Sequence, residues 1–147
     1  MDQFSNAFKI YKTQSIPFGS KTIKDEFAKE LINLWRTRGM KGTIYTAWLY
    51  TIPVGFILLE DSVKTGPNLK TIRGTWVDPD YRGMGVGEKL LKKILNEYEH
   101  QPVDILVNIT KGAEGFYEKY GFKIVGHRDD FDMNIGLWES LSGDSTI

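Results

Sequence analysis

The order of apolar patterns along the chain predicts an α/β or α+β domain built on one central sheet. Short runs rich in β-branched and aromatic residues alternate with segments whose apolar residues recur at helical spacing. One run, residues 103–110, is apolar almost throughout, as in a strand covered on both faces. Because strand and helix patterns are interleaved, the chain is neither all-helical nor all-strand.

The first half of the chain predicts four strands and one helix. Residues 8–12 alternate apolar and polar side chains and predict an edge strand. Ser20 is a suitable N-cap for a helix that ends near Gly39. The apolar face predicted for this helix consists of Ile23, Phe27, Leu31, Leu34 and Trp35. Residues 43–50 and 54–60 predict a hairpin, and residues 69–77 predict the next strand.

The second half predicts a helix, a strand, a short helix and two more strands. The first helix starts at Val86 and continues to Tyr98. It joins the strand at 69–77 to the strand at 103–110 by a crossover, so these two strands are expected to be parallel. Residues 111–120 predict the short helix, and residues 122–126 and 132–138 predict the last two strands.

Composition and charge indicate a single globular domain over residues 1–147, with 41% apolar and 26% charged residues. Nineteen basic residues balance nineteen acidic ones, so net charge favours neither nucleic acid nor an anionic membrane as partner. The absence of cysteine excludes disulfides, thiolate metal sites and a cysteine nucleophile. We expect a cytoplasmic protein, because the sequence shows no signal peptide and no apolar run near eighteen residues. The expected oligomeric state is a monomer or a homodimer.

A glycine-rich turn separates the strand at 69–77 from the helix that follows it. Gly83, Gly85 and Gly87 stand at alternate positions, and an amphipathic segment begins directly there. Such a turn leaves backbone N–H groups unpaired at the positive end of a helix dipole, which suits an anion and most often a phosphate. For the three glycines alone, a tight turn that binds nothing is the alternative.

The spacing of the glycines distinguishes among phosphate-binding turns. A Walker loop ends in Gly-Lys-Ser/Thr, and a Rossmann turn places its third glycine where this chain has Glu88. The stretch Arg82-Gly83-Met84-Gly85-Val86-Gly87 instead resembles the Arg/Gln-x-x-Gly-x-Gly/Ala pyrophosphate loop of the GCN5-related N-acetyltransferase (GNAT) superfamily. The approach to the loop, Val77-x-Pro79-x-Tyr81-Arg82, also resembles that family.

A second segment carries the same resemblance. The stretch Ala113-Glu114-Gly115-Phe116-Tyr117-Glu118-Lys119-Tyr120-Gly121-Phe122 is similar to the family's Ala-x-x-Phe/Leu-Tyr-Glu-Lys-x-Gly-Phe element. The resemblance covers residues 69–126 strongly and the first half only by order of elements. It implies a mixed, mostly antiparallel sheet of about six to seven strands with one splayed parallel pair, flanked by helices.

The resemblance also implies a reaction, transfer of an acetyl group from acetyl-CoA to a primary amine by direct attack in a ternary complex. The loop residues Arg82, Gly83, Met84, Gly85, Val86 and Gly87 would hold the pyrophosphate of CoA. A backbone N–H at Trp76 or Val77 would stabilise charge on the thioester oxygen. The family's asparagine position holds Thr110 here, which leaves Asn108 as the substitute.

Tyr117 occupies the family's general-acid position. A phenol has a pKa of about 10 in model peptides, near that of a thiol, so protonation of the leaving thiolate is roughly balanced. Tyr120, three residues later, is the competing candidate, and packing alone is the alternative for Tyr117. The amine must lose a proton before it attacks. The candidate bases are Glu60, Asp78 and a water chain. Some family members have a glutamate base at the position that Thr71 occupies here.

No metal site is expected, since His100 and His127 lack the partner spacing of a metal site or a triad and are expected to be ordinary surface residues. The acidic segment 128–132 lies in a connection that often borders the family's acceptor cleft, where it would favour a cationic amine; a solvated turn is the alternative. Two other functions stay open: a non-catalytic CoA-binding sensor or scaffold, and a nucleotide-binding regulator that uses the same glycine turn.

Overall fold

The computed structural model describes residues 7–13 and 23–140, which form seven strands and three α-helices. The strands are β1 (Phe8–Thr13), β2 (Gly42–Leu49), β3 (Ile52–Ser62), β4 (Gly66–Val77), β5 (Asp104–Ile109), β6 (Lys123–Arg128) and β7 (Met133–Glu139). The helices are α1 (Glu26–Thr37), α2 (Val86–Tyr98) and α3 (Glu114–Lys119). A 3-10 turn, Pro79–Tyr81, follows β4.

The strands form one mixed sheet in the order β1-β2-β3-β4-β5-β7-β6. The pairs β1–β2, β2–β3, β5–β7 and β6–β7 are antiparallel, and β4–β5 is parallel. This arrangement confirms the predicted fold class, the predicted edge strand at residues 8–12 and the predicted parallel pair. The parallel register joins Leu69 with Asp104 and ends at Ile72 with Val107, although β4 continues to Val77.

The residues cluster into two compact units. The first unit draws on Met1–Glu60 and Gly74–Asn96, and the second draws on Asp61–Arg73 and Glu97–Ile147. Strand β4 passes from the second unit into the first at Gly74. The glycine turn and α2 up to Asn96 therefore belong to the first unit, whereas α3 belongs to the second.

Helix α1 of the first unit starts later than predicted and buries a different face. Asp25 is its N-cap, accepting hydrogen bonds from the backbone N–H groups of Phe27 at 2.8 Å and Ala28 at 3.2 Å. Ser20, the expected cap, lies outside the described residues. The predicted apolar face is wrong at Phe27 and Leu34, which are 55% and 48% exposed.

The face that α1 does bury consists of Ala28, Ile32 and Trp35. These residues pack with the strands in a core that also includes Ile23, Ile44, Phe56, Leu58 and Trp76. The buried face is rotated about the helix axis from the predicted face by one residue, which corresponds to about 100°. Two overlapping apolar stripes in one sequence cannot be separated by periodicity alone, and packing decides between them.

Gly55 of β3 lets the start of α2 lie close to the sheet. A Cβ added there would stand 3.0 Å from the Trp76 carbonyl oxygen and 3.0 Å from Cγ1 of Val86. Both distances are shorter than ordinary van der Waals contact, and one partner is backbone, which cannot rotate away. A side chain at position 55 would therefore displace the end of β4 and the first turn of α2.

We expect Gly55→Ala to lower the free energy of unfolding by roughly 1–3 kcal/mol, the usual cost of an added methyl group in a packed core. Gly115→Ala in α3 is the matched control, since a Cβ there meets no heavy atom within 4 Å. The control should leave stability unchanged or raise it by up to about 1 kcal/mol, because alanine favours a helix over glycine. Urea unfolding followed by circular dichroism measures both, and equal effects would contradict the proposed clash.

The core of the second unit is built on β5, which buries one face. Ile105, Val107 and Ile109 are buried, whereas Asp104, Leu106 and Asn108 between them are only partly covered. The expectation that both faces of this strand are fully buried is therefore wrong. Gly136 of β7 leaves the space that Ile109 and Val107 fill, since a Cβ there would stand 2.8 Å from Cδ1 of Ile109.

Candidate functional site

The glycine turn has the open backbone that a bound anion requires. Gly83 and Gly85 have φ angles of 81° and 82°, in the left-handed region that favours glycine. A Cβ at either position would meet no heavy atom within 4 Å. Gly87 lies inside α2, where a Cβ would meet Cγ2 of Val77 at 3.6 Å. The first two glycines are therefore needed for backbone conformation and for access to the backbone, and not to avoid a clash.

The turn ends at the amino end of α2. Within α2, Lys89 donates its backbone N–H to the Gly85 carbonyl at 2.9 Å, which closes the first helical turn. The N–H groups of Val86 and Gly87 come before this bond, so they have no partner within the helix. They also lie where the helix dipole is positive. These properties together favour an anion at this end of α2.

The side chain of Arg82 braces the turn. Its Nε donates to the Val77 carbonyl oxygen at 3.0 Å, so the guanidinium spans the 3-10 turn from its far end back to the end of β4. The residue is exposed to solvent. The guanidinium also places a fixed positive charge beside the open backbone of the glycines.

These residues fit a diphosphate. Backbone donors, a left-handed turn without side chains and a guanidinium are the groups that bind phosphate oxygens in proteins. Two predicted binding residues offer no side chain to a ligand, since Val86 as a whole residue is 2% exposed and Trp76 is 3% exposed. The Trp76 ring packs on Phe56, with 5.4 Å between ring centroids. Met84 is half-buried within the turn.

The end of β4 presents one backbone N–H in a defined direction. The Trp76 carbonyl oxygen lies against Gly55 of β3. All peptide bonds of the described residues are trans, so the Val77 N–H, which shares this peptide unit, points away from β3. The next residue turns back, since Asp78 donates its N–H to the Val54 carbonyl at 2.8 Å. Of the two predicted N–H donors, Val77 is therefore the better placed to meet a ligand.

Asp25 connects the start of α1 with the end of β4. Its pKa lies below the ordinary value of 3.8, first because its carboxylate accepts the backbone N–H of Ala28. The Trp76 indole N–H lowers the pKa further, and the positive charge of Arg82 adds a smaller effect. The indole nitrogen makes no hydrogen bond of regular geometry with any of residues 7–13 and 23–140. Its effect on the Asp25 carboxylate is therefore electrostatic only.

We expect Asp25 to stabilise the fold at neutral pH and to lose this effect in acid. A carboxyl group whose pKa is lowered on folding contributes stability above its unfolded pKa, near 3.8, and loses it as the pH falls through the folded value. Asp25→Ala should therefore lower the melting temperature at pH 7 by a few degrees, through loss of the N-cap, and by less near pH 3. Calorimetry at both pH values measures this difference. An equal shift at both would contradict it.

Tyr117 lies half-buried in α3 of the second unit. Its backbone carbonyl accepts the N–H of Phe122 at 3.2 Å and that of Tyr120 at 3.0 Å. Its ring contacts Phe116 and Phe122 edge to face, with centroids 5.2 Å and 5.4 Å apart. Backbone and ring contacts therefore both restrict the side chain. The hydroxyl oxygen of Tyr120, the competing candidate, is buried within the protein, which makes it the poorer choice for meeting a substrate.

The other predicted site residues have varied surroundings. Asn108 is half-buried on β5, opposite Ile135 of β7 and between the buried residues of that strand. The carboxylate of Asp78 accepts the N–H of Asp80 at 2.9 Å and caps the 3-10 turn, so it has a structural task. Glu60 is half-buried near the end of β3. None of these contacts tests the predicted roles, which stay predictions.

The structural roles of two groups of residues were not predicted from the sequence. Asp25 had a local signal, an acidic residue directly before the apolar stripe of α1, which Ser20 obscured. Glu114, His127 and Asn134 had none, because they lie on α3, β6 and β7 and meet only in the fold. Asn134 donates to Glu114 at 3.1 Å, and its amide oxygen lies 3.0 Å from Nδ1 of His127. His127 lies at the surface, as expected, with its side chain 40% exposed, and the sequence did not predict its contact with Asn134.

Residues 7–13 and 23–140 contain neither a helix that could cross a membrane nor a cluster that could hold a metal ion. No helix there has the length and apolar character to cross a membrane. No three histidine or carboxylate side chains there are grouped so that they could hold a metal ion.

Known proteins share both the fold and part of the sequence. A family model described as "Acetyltransferase (GNAT) domain" matches residues 10–134. The chain is 35% identical over 81 residues to the peptidyl-lysine N-acetyltransferase YjaB of Salmonella typhimurium and 33% identical over 84 residues to that of Escherichia coli. These matches cover 55% of this chain in each case, and 50% and 49% of the two relatives. The chain thus spans about half the length of the curated relatives it matches.

A solved structure gives the same result for the fold. The crystal structure of a GNAT family acetyltransferase from Elizabethkingia anophelis, with acetyl-CoA bound, matches with a TM-score of 0.70 at 20% identity. The match covers 91% of this chain and 99% of that one. At this level of identity the likeness establishes the fold. The family match extends over most of the chain and confirms the resemblance carried by residues 82–87 and 113–122, so this chain belongs to the GNAT family of acetyltransferase domains.

Proposed function

We propose that this chain transfers an acetyl group from acetyl-CoA to a primary amine, of a small molecule or a protein, by direct attack in a ternary complex. The observation that carries the proposal is the glycine turn of a family whose domains are acetyltransferases. Its left-handed glycines, open backbone and Arg82 brace fit a diphosphate, which CoA carries. Acetyl-CoA supplies the acetyl thioester as co-substrate.

The proposed binding residues have separate tasks. The backbone N–H groups from Gly83 to Gly87 bind the diphosphate oxygens, and Arg82 holds the turn in shape. The pantetheine arm resembles a peptide, so it can pair with a strand edge. The Val77 N–H, which points away from β3, donates to the thioester oxygen as negative charge develops there. Asn108 is proposed as a further contact to the arm.

The proton transfers are assigned to two groups. Tyr117 donates its phenolic proton to the thiolate that leaves when the amide bond forms. The attacking amine must first lose its own proton. Because the Asp78 carboxylate caps the 3-10 turn, we favour Glu60 or a water chain as the base.

A lysine side chain of a protein is the acceptor that the relatives favour. Both YjaB proteins are named as peptidyl-lysine N-acetyltransferases. The turn after β6 carries Asp129, Asp130 and Asp132, whose charge would suit a cationic acceptor. We further propose that residues 1–147 act as one domain. The cytoplasmic location and the monomeric or homodimeric state stay predictions.

The decisive experiment is an acceptor screen that follows CoA thiol release across amines, aminoglycosides and lysine peptides. We expect turnover with at least one class, and a hit with peptides alone would establish a protein acetyltransferase. Thermal shift should show stabilisation by acetyl-CoA and not by ATP or NAD. Binding without turnover on any acceptor would favour the CoA sensor. Stabilisation by ATP or NAD alone would overturn the assignment of the turn.

A further inference from the structure

A chain of polar side chains connects the start of α3 with the turn between β6 and β7. It consists of Glu114, Asn134, His127 and the two carboxylates of Asp129 and Asp132, all in the second unit. We infer that Asn134 is a positioning residue: by joining Glu114 to His127 it fixes the helix that carries Tyr117. The catalytic part of this inference rests on the proposed function.

The chain has defined distances along its length. Nδ2 of Asn134 donates to Oε2 of Glu114 at 3.1 Å. On the other side of the amide, Oδ1 lies 3.0 Å from Nδ1 of His127. Nε2 of His127 lies 3.4 Å from Asp132 and 3.6 Å from Asp129. Glu114, Asn134 and His127 each lie on a different element and the two aspartates share a turn, so the chain crosses from α3 over β7 and β6 to the turn.

The chemistry of the groups fixes the direction of the hydrogen bonds. An ionised carboxylate only accepts, so the amide nitrogen of Asn134 must face Glu114. The amide oxygen then faces His127, whose Nδ1 must carry a hydrogen to donate. If Nδ1 carried a lone pair, it would face the amide oxygen, and two acceptors would meet. If the amide were reversed, its oxygen would face the Glu114 carboxylate, and again two acceptors would meet. The orientation of Asn134 is therefore determined by its neighbours. Aspartate has the same shape but two acceptor oxygens, so it cannot make both bonds.

Helix α3 depends on such an anchor. It has only six residues, which is too short to be stable on its own, and its N-cap residue Ala113 makes no side-chain cap. Its first backbone bond, from the Tyr117 N–H to the Ala113 carbonyl, is long at 3.4 Å. Glu114 replaces the missing cap, because its carboxylate accepts the Gly112 N–H at 2.9 Å.

The pKa of Glu114 supports this arrangement. It lies below the ordinary value of 4.5, first because the carboxylate accepts its own backbone N–H and then that of Gly112, with a smaller effect of the Asn134 amide. The carboxylate thus closes the start of α3 on one side and binds β7 on the other. Tyr117 follows one helical turn later, so a shift at Glu114 moves the phenol with it.

The strength of the links decides which residue to test. The carboxylates of Asp129 and Asp132 are 100% and 70% exposed, so their contacts with His127 are weak in water. The bond between Asn134 and Glu114 is partly buried and is the link that touches α3. Asn134 is therefore the residue whose replacement should affect Tyr117 most.

The test exchanges the donor and the acceptor. Asn134→Asp sets two carboxylates against each other and should lower kcat roughly 10-fold or more, which corresponds to losing one hydrogen bond to a charged group. Glu114→Gln with Asn134→Asp restores the pair in reverse, since the new amide donates to the new carboxylate and its oxygen still accepts from Gly112. The double variant should regain most of the loss. In all variants the KM for acetyl-CoA should change less than twofold or so.

Ser140→Ala is the matched control. Its hydroxyl donates to the Gln101 carbonyl in the same unit, partly buried and away from α3. It should lower the melting temperature much as Asn134→Asp does, with kcat unchanged. If kcat falls equally in both, or if the double variant is no better than Asn134→Asp, Asn134 is only a stability residue and the inference is overturned.

Hydrogen exchange separates this inference from the proposed function. The amide hydrogens of Tyr120 and Phe122 should exchange faster in Asn134→Asp and return toward the wild-type rate in the double variant. Exchange that is unchanged in Asn134→Asp overturns the inference whatever the activity. Wild-type protein that shows no turnover, together with the predicted exchange pattern, would overturn the proposed function and leave the anchoring of α3 supported.

Discussion

Gly85→Asp should abolish binding of CoA while leaving the fold intact. The substitution puts a carboxylate on the open backbone where the diphosphate is proposed to lie, and like charges placed together in a binding site cost several kcal/mol. We expect the Kd for CoA to rise by at least about 100-fold. The same carboxylate stands at the positive end of α2, which favours the helix and offsets part of the strain of a side chain at φ 82°, so the melting temperature should fall only slightly. Calorimetric titration and thermal unfolding measure the two effects.

Gly39→Asp is the control for the backbone. Gly39 also has a positive φ, 60°, and a Cβ there meets no heavy atom within 4 Å, as at Gly85. It ends α1 and has no part in the proposed site. Aspartate tolerates the left-handed conformation better than most residues, so both variants carry a similar strain. Equal affinities of the two variants for CoA would show that the turn does not bind the diphosphate.

The sequence was most informative where local rules decide the structure. The strand at 69–77, the turn and the helix from Val86 to Tyr98 were predicted closely, because glycine spacing and a strong apolar period both mark them. The role of Tyr117 was inferred from its motif and stays a prediction, and the structure adds the rings and backbone bonds that restrict this residue. Short-range signals therefore located most elements to within about three residues, the exception being the start of α1.

Properties that depend on packing were outside the reach of the sequence. Phe27 and Leu34 fit the helical period of α1 as well as Ala28 and Ile32 do, and only contact with the sheet selects the buried pair. The anchoring of α3 was invisible for another reason. Glu114 and Asn134 are twenty residues apart, and no local pattern relates an asparagine on one strand to a glutamate on a helix.

The two glycines of the turn show how the levels combine. Their spacing is visible in the sequence, but three glycines at alternate positions fit a turn that binds no ligand equally well. The structure shows that neither Gly83 nor Gly85 is needed to avoid a clash, and that both have a left-handed backbone. Asparagine would serve such a conformation at modest cost. The absence of any side chain at both positions is what a ligand that contacts the backbone requires.

Tyr117→Phe should lower kcat by about 100-fold or more, the usual contribution of a general acid. In the proposed mechanism the phenol supplies the proton that the leaving thiolate needs, and phenylalanine keeps the ring that packs on Phe116 and Phe122. The Kd for CoA and the melting temperature should therefore hardly change. Single-turnover kinetics with acetyl-CoA and an acceptor found in the screen separates the chemical step from binding.

Tyr120→Phe is the matched control, because it removes a hydroxyl from the same short segment. The Tyr120 hydroxyl is buried, so we expect its loss to affect stability more than kcat. If Tyr120→Phe is the variant that loses turnover, the general acid is Tyr120, and the match to the family motif indicated the wrong tyrosine. If neither variant loses turnover, the thiolate takes its proton from water, and the role of Tyr117 is limited to packing in α3.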